Sequence, residues 1–240
     1  MISFIITAKN EPYLEKTIED IRKNTVGDIE ILAEEDDGRG QRAMLNKLAK
    51  KATRPHILKL DAHCTIGPRF DEIMVRELGY KEVLMPLLFP LDGEQWTINH
   101  HNPMSSYVFD TRLVMHFGDH DKKAERNESM CVQGSCFMME TKNWFDWNVC
   151  DESLGPWGHQ GAEVGIAVWK NGGKCVTTHK TYYGHVFRHL DSEFPYERDH
   201  KQIDETHKAV QKLKTKEIVS LVEKFHFPCD WQHEDVIQLR

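Results

Sequence analysis

Apolar positions in the first ninety residues alternate between two spacings. Short unbroken runs at 2–7, 29–33, 56–60 and 83–90 have the length of buried strands. Between them the apolar residues fall at helical spacing. Leu14, Ile18 and Ile21 follow Asn10 as a cap with Pro12 in the first turn, and Leu45, Leu48, Ala49 and Ala52 share one side of a helix over about 40–52. A further helix is expected to open at Pro68 and close at Gly79. This alternation predicts a parallel sheet covered by helices, an α/β fold. Ligands of such sheets gather outside the carboxyl ends of the strands. Three polar groups fall there: Lys9-Asn10-Glu11, Glu34-Glu35-Asp36-Asp37 and Asp61-Ala62-His63.

The second half is less regular. A strand is expected over 135–139, then a Trp-rich stretch, then a helix over about 160–171 that Gly172-Gly173 would stop in left-handed backbone. Short strands at 174–178 and 182–186 precede a polar loop over 188–200. In the last helix, Ile218, Leu221, Val222 and Phe225 form an apolar stripe. With no repeat, low-complexity segment or linker, the pattern predicts one domain over 1–240. Its nucleotide-binding half would cover about 1–95, its sugar and acceptor half about 96–200, and a closing helix about 203–226.

Composition narrows this picture. A net charge of −7 argues against bulk electrostatic binding of nucleic acid, although a local basic groove remains compatible with it. No run approaches the roughly 20 apolar residues that span a bilayer, and the first strand lacks the basic flank and cleavage site of a signal peptide. The six cysteines form no Cys-x-x-Cys pair and read as buried thiols. A cytoplasmic location is the expectation.

Asp61 and His63 stand two apart after a buried strand, where extended backbone would aim both side chains the same way. A carboxylate with an imidazole suits Mn²⁺ or a similar borderline cation better than Mg²⁺. His185, in Gly184-His185-Val186-Phe187-Arg188, offers a third ligand, and Arg188 a cationic fork for phosphate oxygens. His100-His101 and the stretch around His116, Asp119, His120 and Asp121 carry ligand types without a third anchor, and read as solvated loops. Trp144 and Trp147 fit core packing. The cations over 198–216 alternate with acids, as on a wet helix face.

Together these motifs resemble the GT-A fold glycosyltransferases of the family-two-like group, and within it the polypeptide N-acetylgalactosaminyltransferases. Leu60-Asp61-Ala62-His63-Cys64 is similar to that family's metal motif. Trp157-Gly158, Glu163, Trp169 and Gly172-Gly173 are similar to its donor and catalytic helix, and Gly184-His185-Val186-Phe187-Arg188 to its third-ligand segment. Gly134-Ser135, Phe137 and Asp151 fall where the family has its sugar-pocket strand. The likeness runs from residue 1 to about 190.

The resemblance implies a mostly parallel nucleotide-binding sheet flanked by helices, with a smaller mixed sheet on the acceptor side. It implies a nucleotide-sugar donor, with a UDP-sugar favoured, and Mn²⁺ or another divalent cation on Asp61, His63 and His185. Ala8, Asn10 and Glu11 would lie by the base, Glu35 or Asp36 would touch uracil or ribose, and Arg42 would face the nucleotide. Trp157 would cover the donor, Arg188 would hold the diphosphate, and Gln160 and Glu163 would stand near the reacting sugar.

The family's Trp-Gly-Gly-Glu-Asn reads here Trp157-Gly158-His159-Gln160-Gly161. Inverting relatives place an aspartate base where Gly161 stands. A glycine accepts no proton, so an inverting enzyme would have to recruit Glu163 or another carboxylate, and the sequence favours retention by front-face attack. The family's lectin-like second domain has no counterpart in this sequence. The acceptor stays open between a glycan, a protein, a small molecule and hydroxymethylated pyrimidines in DNA. Two other classes are weighed. A nucleotidyltransferase is disfavoured because Thr7-Ala8-Lys9-Asn10-Glu11 has no glycine-rich loop. A binding module of the same fold without catalysis is kept in play by Gln160 and Gly161.

Overall fold

The computed structural model describes all 240 residues except 120, 122 and 189. The chain opens as β1 (Ile2–Ala8), α1 (Leu14–Asn24), β2 (Ile29–Glu35), α2 (Gln41–Lys51) and β3 (His56–Leu60). It continues through β4 (Cys64–Ile66), α3 (Phe70–Glu77), β5 (Glu82–Asp92) and β6 (Thr97–Ile98). The middle of the chain holds β7 (Tyr107–Phe109), β8 (Met115–Phe117), β9 (Arg126–Ser129), β10 (Cys136–Glu140) and α4 (Thr141–Asp146). Then come α5 (Gln160–Lys170), β11 (Lys174–His185), α6 (His200–Val210), α7 (Val219–Lys224) and α8 (His233–Leu239).

The main sheet runs β2-β1-β3-β10-β5-β11-β4. β1 pairs parallel with β2 and β3, and β5 with β11, while β10 and β4 run against their neighbours. β1 alternates little because both faces are covered, leaving Ile2, Phe4, Ile5 and Ile6 without exposure. β7 and β8 form a separate antiparallel pair. The architecture is a mostly parallel sheet flanked by helices with a small second sheet, as the sequence pattern and the resemblance imply.

Three differences from the sequence reading have local causes. β4 is a strand of three residues, too short to carry a periodic signal, and it pairs antiparallel with Tyr183, Gly184 and His185. The two strands expected over 174–186 are one strand, β11, whose register against β5 shifts between Thr178 and Tyr182, so the polar residues 179–181 interrupt pairing but not the strand. The single closing helix is instead α6, α7 and α8: Thr215 is extended, which ends the first helical run, and of the expected stripe Leu221 and Val222 lie in α7 while Ile218 caps it from the preceding 3-10 turn.

The helix α5 sits unusually close to the segment before β10. Gly161 and Gly165, one turn apart, face that segment, and Val132 N–H donates to Gly161 O at 3.3 Å. A Cβ on Gly165 would stand 2.7 Å from Cys131 Cα. Gly165→Ala is therefore expected to lower unfolding free energy by about 1–3 kcal/mol through overpacking. Urea denaturation checks this, and an unchanged midpoint would show that the helix can shift outward at no cost.

Candidate functional site

β3 ends at Leu60, and the chain turns at Ala62 and His63 before reversing into β4. Pairing of Cys64 with His185 across β4 and β11 brings the second histidine back over the turn. Asp61, His63 and His185 thus converge, with one ligand atom from each within 4.8 Å of the others. His185 Nε2 lies 3.4 Å from Asp61 Oδ2, and the two imidazole rings are 4.8 Å apart. A turn, rather than the extended backbone expected from the spacing, sets the directions of Asp61 and His63.

Each charge at this cluster has a partner. Glu11, just beyond β1, receives both terminal nitrogens of Arg188 at 2.8 Å and lies 3.0 Å from His63 Nδ1. Burial acts to raise the Glu11 carboxyl, but His63 and Arg188 outweigh it and hold it down to about 2. Burial likewise opposes ionisation of Asp61. The neighbouring Lys59 ammonium and the His185 hydrogen bond overcome that and keep it well below the usual carboxylate range. Burial pushes His185 down to about 4, which favours the uncharged imidazole, the form able to ligate a cation. Lys59 was missed in the sequence. Its signal was a lone cation in the apolar strand Ile57-Leu58-Lys59-Leu60, and it is 1% exposed.

The cluster fits a divalent cation. His185 Nδ1 is buried with no hydrogen-bond partner among the described residues, which leaves unsatisfied polarity in a low-dielectric setting. One carboxylate with two imidazoles is a donor set that Mn²⁺ accepts. Asp61, His63 and His185 would hold such an ion, and its charge would offset that gathering on a departing diphosphate.

The cluster floors a cavity of about 430 Å³. Ala8, Glu11 and Asp36 line it from the strand ends, with Arg188 and Trp157 on its walls. Asp36 shapes its own loop, since Oδ1 accepts from the Gly38 and Gly40 N–H groups at 3.0 Å each. Glu35 and Asn10 do not line the cavity; the Asn10 N–H donates to the Glu35 carboxylate beside it. The segment 194–203, which carried no motif, supplies much of the mouth. There the Arg198 guanidinium lies 5.3 Å from the Trp157 ring and 4.7 Å from that of Phe194, and Lys9 lies 5.0 Å from Tyr196.

Three residues expected at the reacting sugar or nucleotide lie behind the wall instead. Arg42 and Glu163, 1% and 3% exposed, meet at 2.8 Å between Nε and Oε2. Arg42 also donates to the carbonyls of Gly155 at 2.8 Å and Gly158 at 2.6 Å, and Glu163 Oε1 accepts the Asp151 N–H at 2.7 Å. Burial pushes the Glu163 carboxyl upward against the pull of Arg42. Gln160 points inward to Cys150 Sγ at 3.3 Å. At Gly161 a Cβ would come within 2.4 Å of Val132 O, so close packing requires the glycine. Elsewhere, Trp144 and Trp147 are core residues, His116 pairs with Asp110 at 3.1 Å, and His100 packs on Phe89 and Tyr182. His120 lies outside the described residues.

Among solved structures, GalNAc-T7 crystallised with UDP, GalNAc and Mn²⁺ superposes with a TM-score of 0.74 over 95% of this chain and 51% of its own, at 17% identity. The fold is that of the GT-A glycosyltransferases. S. aureus TarS residues 1–349 with UDP-GlcNAc matches with a TM-score of 0.56 at 11% identity, over 99% of this chain and 70% of that one. No protein-family profile matches the chain. In sequence, a Drosophila melanogaster protein provisionally named polypeptide N-acetylgalactosaminyltransferase 13 is 26% identical over 162 residues, 64% of this chain. This GT-A chain matches only 29% of that relative's length. The relatives and neighbours are glycosyltransferases.

The buried ion pair generates a stability prediction. Arg42→Met and Glu163→Leu should each destabilise the fold by about 3–5 kcal/mol, because each leaves one member of a buried ion pair without the other. Arg42→Met combined with Glu163→Leu should recover part of that loss. Chemical denaturation of the three variants reads the outcome, and additive losses in the double variant would contradict a direct coupling.

Proposed function

We propose that the chain is a metal-dependent glycosyltransferase that moves a sugar from a UDP-sugar to an acceptor hydroxyl. The observation carrying this reading is the Asp61, His63 and His185 cluster at the carboxyl end of a GT-A sheet, flooring a cavity of about 430 Å³. GalNAc-T7 with UDP and Mn²⁺, and TarS with UDP-GlcNAc, support the donor class. Ala8, Glu11 and Asp36 are placed to line the nucleotide side, and Trp157 to cover the donor. Arg188 directs two of its five N–H donors to Glu11, and its others would serve phosphate oxygens.

The lack of a base on α5 favours retention. Gly161 has no room for a side chain, Glu163 is committed to Arg42 and Asp151, and Gln160 faces the core. Attack from the face of the departing diphosphate needs no enzyme carboxylate there: the acceptor oxygen bonds to the anomeric carbon, and its proton passes to a phosphate oxygen as the bond to UDP breaks. In this reading Glu163 and Arg42 are positioning residues that hold the Gly155 to Gly158 loop beneath Trp157.

Incubating the purified chain with a panel of UDP-sugars, with and without Mn²⁺, tests the proposal. One donor is expected to release UDP slowly in a metal-dependent way. His63→Ala should cut that rate by about a hundredfold or more, the upper end of what even an outer-shell partner of a metal ligand contributes. Glycan, protein and hydroxymethylpyrimidine DNA acceptors should then be offered with the selected donor. UDP-sugar binding with neither hydrolysis nor transfer would instead indicate a binding module.

A further inference from the structure

The buried cation next to the cluster has no role in holding a donor. Lys59 sits on β3 with its side chain 1% exposed, and Nζ donates to Asp61 Oδ1 and to the carbonyl of Gly134. Both partners are pure acceptors, so the nitrogen supplies the hydrogens to each, as an ammonium does. Asp61 is left with Oδ2 facing His185 Nε2. The oxygen that would complete a bidentate grip on a metal is taken by a fixed positive charge.

The local charge count follows. Asp61 is balanced by Lys59, and Glu11 by Arg188. His63 and His185 must be neutral to ligate. The protein groups around the cluster therefore sum to zero, and a divalent ion entering alone would leave two positive charges uncompensated beside a buried ammonium. A diphosphate entering with the ion supplies the missing negative charge.

We infer that Lys59 is a positioning residue that makes metal binding conditional on the nucleotide: it holds Asp61 to one ligating oxygen and cancels its charge, so that the divalent ion is retained only together with a diphosphate. This rests on the metal-dependent reading above. It separates from a merely structural role by its sign. A peg that only stiffens Asp61 would, when removed, weaken metal binding; a competing charge, when removed, strengthens it. The Gly134 bond extends the effect to the cavity wall, because the preceding residue, Gln133, lines the cavity and accepts the Ser135 N–H at 2.7 Å.

The test measures Mn²⁺ affinity by electron paramagnetic resonance, with and without UDP, on wild type, Lys59→Met, Lys59→Gln and Lys59→Arg. Wild type should bind Mn²⁺ weakly alone and about tenfold or more tighter with UDP, given the strength of charge interactions at partly buried sites. Lys59→Gln, which keeps a neutral donor to Asp61, and Lys59→Met should each bind nucleotide-free Mn²⁺ about tenfold or more tighter than wild type, shrinking the gain from UDP. Lys59→Arg should behave as wild type. Thermal melts identify any variant that has not folded, and the remaining neutral variant then decides. Unchanged or weaker Mn²⁺ binding in a folded neutral variant overturns the role of Lys59 and leaves the glycosyltransferase reading intact. If wild type binds no Mn²⁺ even with UDP, the metal site falls and this inference falls with it.

Discussion

The shape of the site depends on the buried pairing of Arg42 with Glu163. The two residues lie 121 positions apart and join α2 to the first turn of α5. Taking both charges out of water is costly, and the arrangement holds because their polar atoms are satisfied. Arg42 serves Glu163, Gly155 and Gly158, while Glu163 serves Arg42 and Asp151. The loop carrying Trp157 is thereby tied from below to both helices. Gly155 and Gly158 adopt φ of 101° and 99°, backbone that a side chain would strain, and so turn their carbonyls toward the guanidinium. The same interaction that builds this wall commits the one acid of α5 to structure.

Legibility along the chain followed element length. Apart from the three-residue β4, the strands and helices of the first ninety residues are five to eleven residues long, enough for spacings of two and of 3.6 to separate. Over 97–129 the strands have two to four residues, and no periodicity can be read from so few positions. In the site, Asp61, His63 and His185 were legible because ligand chemistry restricts residue type. Arg42 and Glu163 were singled out by the resemblance, yet one sequence cannot distinguish a charge aimed into a cavity from one aimed at another charge. Only tertiary packing makes that choice. The mouth over 194–203 was illegible because stacking of Arg198 on Trp157 and Phe194 uses common residues at no fixed spacing.

Three carboxylates at the inner end of the cavity share one property. Asp36 is satisfied by two backbone N–H groups, Glu11 by Arg188, and Asp61 by Lys59. Glu197 and Asp199 also line the cavity, on the segment that forms its mouth. Lys9, Arg188 and Arg198 line the same cavity, so the cations there are concentrated locally although the whole chain carries −7. Net charge governs encounter at long range, where salt screens it within about 10 Å. Within the cavity the local pairing decides, and Lys59 with Asp61 and Arg188 with Glu11 leave a floor of balanced charge. On the proposed function, a donor carrying its own cation would satisfy that floor more completely than either component alone, because each would supply the charge that the other lacks.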